Sequence, residues 1–185
     1  LLADYIKSLY TGTQGENSIY YHDASLTNGA GDNSYRYAGA SDAVNNYVCF
    51  GSNVTPCPTD NLYRIIGVFG DKVKLIKSDY ATTALLGADG DYKEKYSYDS
   101  SKYKGNTNNL ANIAGYTWNY KNDTSINRGE GSNTWSTSLL NKTNLNTNFI
   151  NNIGTTWSNK IITTTWKVGG KFIYHFFCFW VQYFF

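Results

Sequence analysis

The chain has 185 residues, of which 41% are hydrophobic and 16% charged, and its formal net charge is +2. That length allows one domain with a proper core. The charged share falls well below the roughly 25% usual for globular domains. The Lys and Arg residues are scattered, which excludes the concentrated basic element of a nucleic-acid binder. Polarity comes instead from Asn, Thr, Ser and Gly, with 17 Tyr. Such a palette suits secreted and cell-surface β-rich proteins and adaptable binding surfaces.

In "LLADYIKSLY", Leu2, Tyr5, Ile6 and Leu9 fall at helical spacing, predicting a short amphipathic helix. "TGTQGENS" ends it with two glycines. Residues 20–45 read as loop, rich in Gly, Asn, Asp and Ser. "NYVCFG" predicts a short strand with Val48 and Phe50 on one face and Cys49 on the other. "LYRIIGVF" is apolar on both faces and should be a central, buried strand. Gly70-Asp71 then supplies the residue pattern of a two-residue type II′ hairpin turn. In the return strand "KVKLIK", Val73 and Leu75 face inward and Lys72 and Lys74 outward.

Residues 87–133 are weakly patterned, and so long an irregular stretch in a compact domain is usually functional or mobile. Next come Trp135 and Leu139, then Leu145, Phe149 and Ile153, then Trp157 and Ile161, each set at i+4 spacing. They predict two or three short helices, interrupted at Asn141–Asn144 and at Gly154. "TTTWKV" returns to a β pattern. The order of elements suggests an α+β domain: an antiparallel sheet with short helices and long loops, covering 1–170. The tail "KFIYHFFCFWVQYFF", residues 171–185, has nine aromatics in fifteen positions and no polar alternation. It is too short for a transmembrane helix. It reads as a non-native segment that should project, or lie on a sheet edge with most aromatics exposed. A genuine apolar strand or membrane-contact segment is the competing reading. The chain contains no Met, so its start codon, and any signal peptide or membrane anchor, are expected upstream of Leu1.

Cys49 and Cys57 lack the paired spacing and the ligand number of a structural zinc site. Outside the tail, His22 is the one histidine that could activate a cysteine. Cys49 sits in a strand and Cys57 between two prolines, which favours a disulfide closing a short loop onto the sheet. Reduced structural thiols, and metal or catalytic cysteines, are the alternatives. A disulfide would imply an oxidising compartment. Cys178 lies in the tail without an evident partner. Asp89 and Asp91 stand beside glycines, as calcium ligands do, but lack the further oxygens and distal Glu of an EF-hand; the plain reading is an acidic turn. Tyr92, Tyr96, Tyr98 and Tyr103 are candidates to stack on sugar rings, against the reading that they are half-buried strand aromatics. Trp118, Trp135, Trp157 and Trp166 read as core anchors. The sequons at Asn53, Asn122 and Asn141 are expected by chance in so Asn- and Thr-rich a chain. No phosphate loop, Ser/His/Asp arrangement or cofactor motif is present in the sequence.

"LADYIKSLYTGTQGENSIYYHD", "DNSYRYAGA", "NNYVCFGS", "CPTDNLYRIIGVFGDKVKLIKSDYA", "NTWSTSLLNKTNLNTNFINNIG" and "TTTWKVGG" together resemble an uncharacterised family of envelope proteins from Gram-positive gut anaerobes. The core block is also similar to a wider domain of unknown function in surface proteins of those bacteria. The resemblance covers about residues 1–170 and implies a layout like the C-type-lectin-like fold. It also implies that this chain is an N-terminal fragment, because the family's domain continues with further strands after its Trp-Lys-Val-Gly-Gly block. It carries no known site residues. The cysteine pair fits the same resemblance.

These readings lead to an extracellular or cell-envelope module that binds a glycan or protein ligand without catalysis. It uses no cofactor and no nucleic acid, and meets a membrane only through an upstream anchor. Two alternatives stand beside it. One is a structural, pilus-like envelope subunit. The other is an enzyme on a lectin-like scaffold, which requires His22 to converge with Asp23, Asp32 or Asp91.

Overall fold

A computed structural model describes residues 1–87 and 140–163, and the backbone of 181–183. They fall in two compact units: Leu1–Tyr80 with Asn159–Phe185, and Ala81–Ser158. The class is α+β, with an antiparallel, curled sheet and a few short helices.

The first unit is built on strand β4, Leu62–Phe69. It is the central strand, as its largely apolar run predicts, but it is buried on one face only: Arg64, Ile66 and Phe69 on the other are half-exposed. β5 (Lys72–Lys77) pairs antiparallel along one edge. The other edge is shared by β2 (Tyr35–Tyr37), which meets Gly67 and Val68, and β3 (Tyr47–Cys49), which meets Leu62 to Arg64. β1 (Ile19–Tyr21) adds outside β2, and β6 (Val181–Tyr183) outside β5. All pairs are antiparallel. Phe69 pairs with Lys72 across a two-residue turn in which Gly70 has φ +66°, while Asp71 stays in the ordinary region. That is the type II′ pattern the sequence predicts.

Two strands lie where the sequence reads as loop. β1 and β2 have three residues each, too few to display an alternation. β3 forms as predicted. In the tail, three residues at 181–183 pair with β5; the rest of 171–185, and the candidate closing strand at 164–168, lie outside the described residues.

The register sorts side chains onto two faces. Tyr63, Ile65, Val68, Val73 and Leu75 are buried on one, with Ile19. A bulge between Ile65 and Gly67 brings Val68 back to this face opposite Val73. Helix α1, Leu2–Ser8, packs against β4 and β5 and buries Ala3 and Ile6. Its predicted apolar stripe is narrower than expected, since Tyr5 is exposed. Tyr10, Tyr21 and Tyr35 extend the core side as a cluster of rings, the last two stacked at 4.5 Å. Lys77 also belongs to the inner face. It is buried, donates to the Thr59 carbonyl at 2.8 Å and lies over the Tyr63 ring. Burial pulls its pKa down, against the nearby Asp60 and Asp79 carboxylates.

β1 is an edge strand, and its outward backbone groups are engaged by the preceding loop. The Gln14 side chain donates to the Tyr21 carbonyl at 2.9 Å and accepts from the Tyr21 N–H at 2.8 Å. The Gly15 N–H donates to the Ile19 carbonyl.

The second unit contains α2 (Thr83–Leu86), a ten-residue stretch of wide, π-type turns α3 (Leu140–Phe149), then α4 (Ile150–Ile153) and α5 (Thr155–Ser158). Gly154, at φ +77°, ends α4 as expected. Asn141–Asn144, predicted to interrupt the helices, instead lie within the wound stretch. The asparagines serve as donors: Asn144 and Asn148 both bond the Leu86 carbonyl, and Asn152 bonds the Leu85 carbonyl. They satisfy carbonyls that the end of α2 leaves without intrahelical partners. Trp157 is half-buried; Trp118, Trp135 and Trp166 lie outside the described residues.

Candidate functional site

The structure brings the Cys49 and Cys57 sulfurs to 2.11 Å, with their Cα atoms 5.7 Å apart, which is disulfide geometry. β3 presents Cys49, and the Pro56–Pro58 loop returns Cys57 to it. Closing so short a loop is worth about 2.5 kcal/mol in the chain-entropy model. Cys57→Ser should therefore lower unfolding free energy by about that amount in a urea titration. Equal stability of the variant and the unreduced parent would show that the pair is not bonded in solution.

His22 makes no hydrogen bond or ion pair with Asp23 or Asp32 among the described residues. His22 Nδ1 accepts a hydrogen bond from the Ala30 N–H at 3.0 Å. Asp23 accepts from the Ser25 hydroxyl and N–H, and the hydroxyl bond leads in holding its pKa below the ordinary value. Asp32 is partly buried, which works against its charge. Bonds from Ser34, with Arg36 beside it, outweigh this and keep its pKa low. Both carboxylates are tied to local turn and ion-pair roles, with no hydrogen bond or ion pair to His22 among the described residues. Asp91, the calcium candidates Asp89 and Asp91, the stacking candidates Tyr92, Tyr96, Tyr98 and Tyr103, and Cys178 all lie outside the described residues. Among the described residues no group of three His, Cys, Asp or Glu could hold a metal, and no helix is long and apolar enough to cross a membrane.

What the structure does assemble is a groove on the outer face of the sheet, of about 250 Å³. Ile66 of β4 and Ile76 of β5 give it apolar lining, and the loop after β2 contributes Gly39, Ser41 and Val44. Arg64 holds that loop in place. Its Nε donates to Asn46 Oδ1 at 2.7 Å, one terminal nitrogen to the Ser41 carbonyl at 2.8 Å, and the other to the Val44 carbonyl at 2.9 Å. Three of its five N–H donors are used in this way. The guanidinium also lies over the Tyr47 ring, 4.9 Å from its centroid. Asn46, buried beside it, donates to the Ile65 carbonyl at 2.6 Å. Tyr37 also borders it, although its register partner is the core residue Ile19; burial raises its pKa, with Tyr5 adding to the effect.

None of these groove residues is a sequence candidate. Arg64 is bonded to positions 18 to 23 residues away, so no local pattern announces it. Compared with protein-family models, with curated proteins and with solved structures, the chain matches none.

Proposed function

We propose that this chain is a non-enzymatic module, at the cell surface or secreted, that binds a glycan or a protein ligand through the outer face of its sheet. The groove carries the reading. It combines apolar lining from Ile66 and Ile76 with Arg64 and the polar Ser41. Ligand sites commonly join an apolar lining to a few fixed polar groups. Its volume lies just under the usual range for small-molecule pockets, which suits one ring-sized group of a larger ligand. The extracellular or envelope address rests on the cysteine pair, since such bonds persist in oxidising compartments. Membership of the envelope-protein family that the motifs resemble, with its lectin-like layout, belongs to the same proposal.

Ser41 is exposed and lines the groove, so Ser41→Trp should fill it without disturbing the core. On a glycan array and in a pull-down from bacterial envelope fractions, the chain should retain a ligand that Ser41→Trp loses. Retention of nothing in either assay would remove the binding reading. Undiminished binding by Ser41→Trp would remove the groove from it.

A further inference from the structure

We propose that Tyr21 and Tyr35 form an oxidative modification site, at which a one-electron oxidant such as a peroxide-charged haem peroxidase joins the two rings by a carbon–carbon bond. The chain carries 17 Tyr. Among the described residues, tyrosine rings meet only in the cluster of Tyr10, Tyr21 and Tyr35. Tyr21 ends β1 and Tyr35 opens β2, and the two are direct register partners. Gln14 takes both the N–H and the carbonyl of Tyr21, so neither bonds across to Tyr35. The ladder bonds run on either side, from the His22 N–H to the Ser34 carbonyl and from the Ala38 N–H to the Ser18 carbonyl. Tyr21 and Tyr35 are therefore a non-hydrogen-bonded pair, the kind in which opposed side chains stand closest. Their rings stack 29° apart with centroids at 4.5 Å.

Tyr10, just after α1, meets the same rings at 5.8 Å and 5.7 Å, but tilted to one and edge-on to the other. Burial, then the nearness of Tyr21 and of Tyr10, raises the Tyr35 pKa, so the hydroxyl-bearing ends of the rings converge as well as their faces. All three side chains are half-exposed, within reach of an oxidant in solvent. In the reaction each phenol gives one electron to the oxidant and its hydroxyl proton to water. The two phenoxyl radicals combine at ring carbons ortho to their oxygens. The hydrogens on those carbons then pass to the oxygens through solvent, which restores both phenols. Hydrogen peroxide takes up the electron pair with the released protons and leaves as water, and the chain is lighter by one pair of hydrogens. The product fastens β1, which pairs with β2 alone, covalently to the sheet.

The test treats the dilute full chain with a haem peroxidase and hydrogen peroxide. The monomer should lose one pair of hydrogens by intact mass and gain dityrosine fluorescence, and fragmentation of its peptides should map the link to Tyr21 and Tyr35. Tyr21→Phe and Tyr35→Phe keep the rings, and so the packing, but remove the phenol; each should abolish the monomer product. Tyr10→Phe and Tyr20→Phe should leave it in place. A link that maps to another pair, that survives in Tyr21→Phe or Tyr35→Phe, or that appears only between molecules overturns the proposal. So does a chain that gains no link at all.

Discussion

Replacing Gly67 with alanine should destabilise the first unit by about 3 kcal/mol, at the upper end for an overpacked site. An added Cβ would stand 2.3 Å from the Tyr35 carbonyl oxygen and 3.0 Å from the Arg36 Cα. Both are backbone atoms of a paired strand, so neither can turn aside as a flexible side chain would. β2 would have to withdraw from β4, and β1 with it, since β1 is anchored through β2. Gly70→Ala is the informative control. Gly70 has φ +66° but meets nothing within 4 Å, so alanine there should cost only the backbone strain of a type II′ position, about 1–2 kcal/mol. Urea unfolding of the two variants separates contact from backbone strain. Equal losses would mean that β2 does not approach β4 as closely as the register requires.

Arg64→Ala should cost a similar amount, about 3 kcal/mol, because hydrogen bonds to a charged donor are the stronger class and removing it leaves two part-buried acceptors unpaired. Asn46 Oδ1 and the carbonyls of Ser41 and Val44 would all lose their donor. Asn46 is itself buried, so water cannot readily replace the lost bond. Arg64→Lys should recover less than half of the stability. An ammonium keeps the charge but cannot reproduce the planar fork that meets three acceptors at once. Hydrogen exchange should also accelerate at Val44 and Asn46, whose N–H groups bond within the loop that Arg64 holds. A loss below about 1 kcal/mol, the scale of an exposed ion pair, would show that the clamp contributes little in solution.

The β4–β5 hairpin was legible because two strong signals coincide there: an apolar run interrupted at Arg64 and a glycine at the position a type II′ turn demands. β1 and β2 were not legible. Their residues, Ile-Tyr-Tyr and Tyr-Arg-Tyr, are good strand formers, but three positions show no period, and the intervening loop dominates the local composition. Lys77 misleads in another way. Strand alternation places it with Val73 and Leu75, yet a lysine is read as facing water until the Thr59 carbonyl that receives it is known. In the second unit, asparagine signals a break because its amide competes with the backbone. Here those amides bond the carbonyls of α2, about sixty residues earlier, and that partner is visible only once the chain has folded. The groove is of the same kind: Arg64, Asn46 and Ile76 come from three separate segments and meet through strand pairing.

The Gln14 carboxamide has a consequence for company as well as for stability. Its two bonds to Tyr21 imitate those of a neighbouring strand, so a strand offered by another molecule finds no vacant register there. A sheet closed by one of its own side chains on this flank resists templated addition without a covering helix or a charged residue at the edge. The same short loop that ends the first helix thus bears on how these molecules behave when crowded together, where open strand edges are the usual route from a soluble fold to an ordered aggregate.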